Sequence, residues 1–346
     1  MAQAADIRFW LLLLLLVGGS VCAILFSTGL GYVAIDWLDI VRIVLARITG
    51  DPVPPAGVDQ VAPFVVMEVR LPRILVAALV GAGLAMSGVV YQGILLNPLA
   101  DPYTLGISAG AAFGAALALV ANLSLLGQLS VPLFAFAGAM ATLAIVLALS
   151  TFNGRMSANT LILSGVIVGA ILAAGISFLK YLADEQVGVI IFWLMGSFAA
   201  RSWTDVLFVA LAVVPGLLVA LFYARDLNIM SLGARAATSL GVESSRVRTV
   251  LLVAASLVTA VCVSVSGIIG FVGLIVPHLM RFLVGPDNRR LLPISFCAGA
   301  ILLLMADTVT RAVLPVEVPI GVLTALIGGP FFCLIFRSRQ RRGSYE

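Results

Sequence analysis

Long apolar runs separated by short polar interruptions fill this chain. A helix needs roughly 20 apolar residues to cross a bilayer. Ten segments fit that pattern, at about 10–32, 64–92, 103–121, 131–150, 158–180, 203–223, 248–268, 271–284, 291–312 and 319–336. The eighth is too short to cross comfortably alone. Gly267, Gly270 and Gly273 predict a bent or broken pair of helices there, tolerable only where protein surrounds the exposed backbone. The first run, from Trp10, is longer than a usual signal-peptide core and lacks a small-x-small cleavage site, so it reads as the first transmembrane helix. The predicted fold is all-α, a polytopic membrane protein of about ten transmembrane helices with both termini cytoplasmic. It forms one transmembrane domain over 1–346, with spans one to five in 1–180 and spans six to ten in 203–336.

Composition agrees with the pattern. Of 346 residues, 62% are hydrophobic and 10% charged, whereas a soluble domain carries roughly 25% charged residues to cover its surface. Nineteen of the 20 basic residues are Arg and the only lysine is Lys180. With the N-terminus inside, 13 basic residues fall in inner segments and 7 in outer ones, the bias expected of an inward-facing N-terminus. Arg42, Arg47, Arg70, Arg73, Lys180, Arg201 and Arg311 are the outer set. The charge is scattered over short loops, so it is no nucleic-acid footprint. Cys22, Cys262, Cys297 and Cys333 lie singly in apolar runs and read as small hydrophobes.

Two loops exceed what a connection needs. The outer one, 33–63, holds Asp36, Asp39, Asp51, Asp59 and a proline-rich turn at Pro52, Pro54 and Pro55. The inner one, 224–247, mixes Leu232, Ala236, Ala237, Leu240 and Val242 with Arg235, Ser239 and Glu243. It predicts one or two short helices across the cytoplasmic face, with Gly233 and Gly241 as breaks or caps, presenting a docking surface for a soluble partner. Shifting the chain by 179 residues aligns Ser87-Gly88 with Ser266-Gly267, Leu95 with Leu274 and Pro98 with Pro277. An inverted internal repeat of this sort is common in transporters.

Catalytic chemistry is sparse. With Lys180 in Phe-Leu-Lys-Tyr, no Gly-x-x-x-x-Gly-Lys-Ser/Thr loop can form, so any ATP hydrolysis falls to another subunit and the chain is not itself an enzyme. The single histidine, His278 in Pro277-His278, is expected to cap or pack a helix end, and neither a metal site nor a cofactor is called for. A buried Asp307 needs company, for which Thr308, Thr310 and Arg311 are the nearest candidates. Asn97-Pro98 and Glu317-Val318-Pro319 are turn signals.

At this point the motifs resemble a family. RLPR (70–73), SGVVYQGILLNPLADPYTLG (87–106, including Gly88 and Gln92), FWLMGS (192–197), SLGARAATSLGV (231–242), SGIIGFVGLIVPHLMR (266–281) and EVPIGVLTALIGGPFF (317–332) resemble the FecCD permeases. These are ten-helix transmembrane subunits of type II ABC importers for cobalamin, haem and ferric siderophores. The resemblance implies a bacterial inner-membrane homodimer above two ATP-binding cassette subunits, served by a periplasmic substrate-binding protein. It implies docking of that protein by Arg70, Arg73 and Arg311. It also implies ATPase coupling through roughly 227–245, including Leu232, Gly233, Arg235, Ala236, Ala237, Leu240 and Gly241. The wider importer consensus has an acidic residue where Arg235 stands. Among cargoes haem ranks first, then ferric siderophore, then cobalamin. The competing class is an ion-coupled secondary transporter with Asp307 as its relay.

Overall fold

The computed structural model describes residues 2–31, 35–51, 57–123, 127–152, 155–312 and 317–343. The proline-rich turn at Pro52, Pro54 and Pro55 lies outside them. Along the chain come α1 (Ala2–Gly29), α2 (Trp37–Thr49), α3 (Ala62–Phe64), a π-helical turn (Val65–Arg70), α4 (Leu71–Ile94), α5 (Ile107–Val120) and α6 (Ser130–Ser150). A two-residue antiparallel ladder, β1 (Thr151–Phe152) with β2 (Arg155–Met156), turns the chain into α7 (Ala158–Leu182). Then follow α8 (Val187–Leu194), α9 (Trp203–Phe222), α10 (Ala224–Met230), α11 (Ala234–Ser239), α12 (Ser244–Ser266), α13 (Val272–Val284), α14 (Asn288–Ala312) and α15 (Ile320–Gly343).

Among the described residues, seven helices are long and apolar enough to cross a membrane. Three shorter apolar helices, at Ile107–Val120, Val272–Val284 and Ile320–Leu334, complete the ten expected spans. In hydrocarbon the backbone must satisfy its own polar groups, which is why these runs become helices rather than strands. Polar residues mark the starts. Ser157 and Thr160 form a reciprocal capping box at α7, and Ser202 and Asp205 form another at α9.

Burial separates two kinds of span. Helix α4 is enclosed by α14, α12, α9 and α13, and nearly all its side chains are buried. Its small residues let neighbours reach the backbone: a Cβ on Gly81 would sit 2.2 Å from the Gly299 carbonyl oxygen, and one on Gly88 would sit 1.9 Å from that of Gly273. Helix α1 leans on α14 alone for most of its length and leaves Leu11, Leu14, Leu15 and Val21 outward. That is the pattern of a lipid-facing span.

The predicted break near residue 270 is present. Helix α12 stops at Gly267, whose φ of +72° suits glycine, and α13 begins after Phe271. The two aligned repeat segments differ locally, since Ser87-Gly88 lies inside α4 whereas Ser266-Gly267 closes α12. They do meet, through Gly88 on Gly273 and through Gln92, whose Nε2 donates to the Gly273 and Leu274 carbonyls at 3.4 Å each. Two elements were not expected. Helix α2 occupies part of the outer loop, burying Ile40, Ile43 and Ala46, and α8 sits between the fifth and sixth spans.

Candidate functional site

Functional residues gather at three levels. At the outer end, α1 finishes with carbonyls that have no helical donor, a natural seat for cations. Arg70 Nη1 donates to the Thr28 carbonyl at 2.8 Å. Arg311 donates to the carbonyls of Leu30 (2.7 Å) and Ser27 (2.9 Å), and Thr308 Oγ1 shares a 2.6 Å hydrogen bond with Ser27 Oγ. Gly31 makes room, because a Cβ there would lie 2.7 Å from Arg70 Nη2 and 3.1 Å from Arg311 Nη1.

Arg73 completes the cluster. Its Nε and Nη2 grip both carboxylate oxygens of Asp307 at 2.8–3.2 Å, and Nη2 also donates to Glu317 at 2.5 Å. Asp307 is 1% exposed, whereas the Glu317 side chain is 48% exposed. The expectation that Thr308, Thr310 or Arg311 would accompany Asp307 is therefore corrected. Thr308 and Arg311 reach across to the end of α1 and Thr310 returns to the Asp307 main-chain carbonyl, while Arg73 faces the Asp307 carboxylate across the α4–α14 contact, 234 residues away in sequence. Arg70, Arg73 and Arg311 do converge, each already engaged inside the chain. Nearby, Arg201 donates to the Ala199 and Val265 carbonyls, and burial holds its guanidinium below the ordinary arginine range.

Midway, four of the quoted motifs join. The Ser197 amide donates to the Ser266 carbonyl, and the Ile320 and Gly321 amides donate to the carbonyls of Gly196 and Met195. Tyr103 inserts its hydroxyl between them, donating to the Ile269 carbonyl at 2.9 Å and accepting from the Ile269 amide at 3.3 Å. Broken backbone inside a membrane protein must find such partners. Asn97 accepts the Leu99 amide at 3.0 Å, and the Pro319 carbonyl accepts from Val322, so both proline signals are turns. An apolar cavity of about 540 Å³ opens beside the junction, lined by Leu194, Met195, Ile268, Gly270, Gly321, Val322, Ala325 and Leu326. Further in, Arg281 Nη2 holds Gln92 Oε1 at 2.9 Å. His278, which follows Pro277 in α13, packs edge-on against Phe282, with ring centroids 5.1 Å apart.

At the inner end the segment 224–247 holds α10 and α11, with Gly233 at φ +100° and Gly241 at +79° making the turns. Leu232 is 68% and Leu240 61% exposed, Arg235 is exposed, and Ala236 is half-buried. Ala237 and Val242 face inward, joined by a Val242 N–H to Ala237 carbonyl bond of 2.9 Å. Two exposed leucines beside an arginine form a surface that a soluble partner can cover. Asp6 of α1 pairs with Arg290 of α14 at this same end, so the N-terminus lies on the side of α10 and α11.

Residues that the sequence reading passed over include Tyr103, Asn228 and Asp287. Asn228 carried no motif signal. Tyr103 did stand inside a quoted motif, where an aromatic after Asp-Pro gave no hint of its distant partner.

Comparison with known proteins follows the same outline. The model of the FecCD transport family matches residues 14–338. The cobalamin import system permease protein BtuC of Halobacterium salinarum is 46% identical over 286 residues, covering 83% of this chain and 77% of that protein. The molybdate import system permease protein MolB of Haemophilus influenzae is 40% identical, covering 98% of each. A solved metal-chelate type ABC transporter in an inward-facing conformation superposes with a TM-score of 0.82 at 36% identity, covering 94% of this chain and 98% of that one.

Proposed function

This chain belongs to the FecCD transport family, and we propose that it moves a metal chelate or corrinoid inward, with haem, a ferric siderophore or cobalamin as cargo. It is a multi-pass inner-membrane permease of the ABC importer type, and ATP is hydrolysed by separate subunits. The family match over nearly the whole chain is the observation that carries the reading. The mechanism is a pathway between two copies of this chain, opened to either side as two ATPase subunits move the 224–247 surface from below.

Cargo chemistry is argued from the lining. Met195, Ile268, Val322, Ala325 and Leu326 border the midway cavity without a charged side chain among them. Such walls suit a large chelate, which spreads its polar groups over a wide surface, better than a small, strongly hydrated oxyanion, whose lost hydration they would not replace. A periplasmic binding protein would dock at the outer end where Arg70, Arg73 and Arg311 converge. Its carboxylates would address Arg311 first, the half-buried member, since Arg70 and Arg73 are 4% and 9% exposed and are held by the Thr28 carbonyl, Asp307 and Glu317.

Uptake into proteoliposomes holding this chain, its ATPase and its binding protein tests the reading, with labelled haemin, a ferric siderophore, cobalamin and molybdate as probes. ATP-dependent accumulation of one of the first three is expected. Accumulation of molybdate alone would overturn the cargo class. Uptake that followed an ion gradient without ATP would overturn the importer. Replacing Arg311 by Gln, which leaves the buried Arg73–Asp307 pair in place, is expected to weaken binding-protein docking while the ATPase still assembles.

A further inference from the structure

The inner coupling surface and the outer arginine cluster are far apart, and α14 touches both, beside α4, which carries Arg73 and meets Leu227 of α10 at Gly93. It runs 25 residues, about 37 Å at 1.5 Å per residue. Its outer end carries Asp307, Thr308 and Arg311, tied to Arg73 and to the end of α1. Midway, Gly299 presses on Gly81 of α4 so closely that a Cβ on Gly299 would fall 2.4 Å from the Gly81 carbonyl oxygen. Contact of that kind leaves little slack for the two helices to slide past each other.

Its inner end is capped from outside the helix. The first N–H groups of a helix need acceptors. Asp287 supplies one, accepting the Arg289 amide at 3.0 Å. Asn228, on α10, supplies the other. Its Oδ1 accepts the Asn288 amide at 2.9 Å and Asn288 Nδ2 at 2.8 Å, while its own Nδ2 donates to Asp287 Oδ1 at 2.6 Å. All three bonds of one carboxamide therefore go to Asn288, the first residue of α14, and to Asp287 just before it. Asp287 already does for α14 what Ser157 and Ser202 do for α7 and α9, so the reach of Asn228 from α10 goes beyond what finishing the helix requires.

We infer that Asn228 is the positioning residue by which the coupling segment grips α14, and that α14 carries displacement between the ATPase side and the docking side. This rests on the importer reading above. When α10 moves, the clamp either takes the start of α14 with it or leaves the Asn288 amide uncapped, and the rigid Gly81–Gly299 contact passes the movement to α4. Both ends of the rod thus share one set of alternatives, which is the physical requirement for coupling between distant sites.

The test uses the full complex in proteoliposomes, reading ATP hydrolysis with and without the binding protein. Asn228→Ala is expected to lower stimulation, read as the ratio of hydrolysis with and without the binding protein in the same assembled complex, at least about five-fold, the low end of ordinary coupling between sites. Asn288→Ala removes one bond of the three and is expected to lose less. Asp287→Asn keeps the acceptor oxygen and is expected to retain stimulation. If Asn228→Ala failed to assemble, Asn288→Ala would carry the test, a partial loss supporting the clamp. Undiminished stimulation in Asn288→Ala and in any assembled Asn228→Ala would overturn it. Absence of any stimulation in the unaltered complex would instead overturn the importer reading, and the clamp with it.

Discussion

The two ends of α14 differ in how deeply their charges are enclosed, since the inner end also carries Asp287 and the Arg290–Asp6 pair but leaves them partly open to water. The outer end is held by charge: Asp307 is buried against Arg73, with Arg311 spanning to the end of α1. The inner end is gripped from α10 by a neutral carboxamide, Asn228, with three short hydrogen bonds. A buried ion pair is a poor source of net stability but a strict one, because removing either member leaves a charge without compensation. A carboxamide clamp can open and close at less cost, because Asp287, its one charged partner, keeps the Arg289 N–H and is only partly buried. The contrast suggests a fixed outer end and a releasable inner one, and it can be broken or sharpened by substitution.

The largest effect is expected at Arg73. Arg73→Ala leaves Asp307 buried and uncompensated, at a cost of about 3–5 kcal/mol in unfolding measured in detergent. Arg73→Met combined with Asp307→Leu replaces both charges by apolar groups of similar bulk, and should recover most of that loss. A small loss in the single variant, below about 1 kcal/mol on the scale of exposed pairs, would mean that the outer end is not fixed by charge.

What the sequence made legible follows from range of interaction. The ten spans were readable because each rests on its own local run of apolar residues, and the break at Gly267 on glycine alone. Helices α10 and α11, with turns at Gly233 and Gly241, were readable for the same reason. Helix α2 was passed over although Ile40, Ile43 and Ala46 sit at helical spacing, because Arg42 among them and Asp39 and Arg47 on either side look like loop chemistry. The partnership of Arg73 with Asp307 was beyond reach for a different reason. It depends on which faces of α4 and α14 meet, and that is set by the glycines at 81 and 299, not by either charged residue. Tyr103 and Ile269 illustrate the same limit, since nothing near either one specifies the other.

An intermediate effect is expected at the inner clamp. Asn228→Ala leaves the Asn288 amide and one Asp287 oxygen to find water, and the site is only partly buried. The loss of stability should be about 1–2 kcal/mol, the range for modest unsatisfied groups. Because the substitution removes no charge, the loss should be nearly independent of salt between low and physiological ionic strength. A strong salt dependence would place charge at the centre of the inner end too and dissolve the contrast.

The smallest effect is expected at Glu317, and it separates the two members of the outer triad. Arg73 Nη2 donates to both carboxylates, yet Glu317 is half-exposed where Asp307 is enclosed. Water competes for Glu317 in either state, so Glu317→Gln should cost less than about 1 kcal/mol, and the cost should shrink as salt rises. A double-mutant cycle should therefore return a large coupling for Arg73 with Asp307 and a small one for Arg73 with Glu317. The same variant bears on docking. If the binding protein's carboxylates address Arg73, removing the charge of Glu317 takes away a competitor, and binding-protein affinity should rise rather than fall. A fall in affinity would mean that Glu317 orients Arg73 toward the partner, making the exposed arm of the triad as much a part of the docking surface as the buried arm is of the fold.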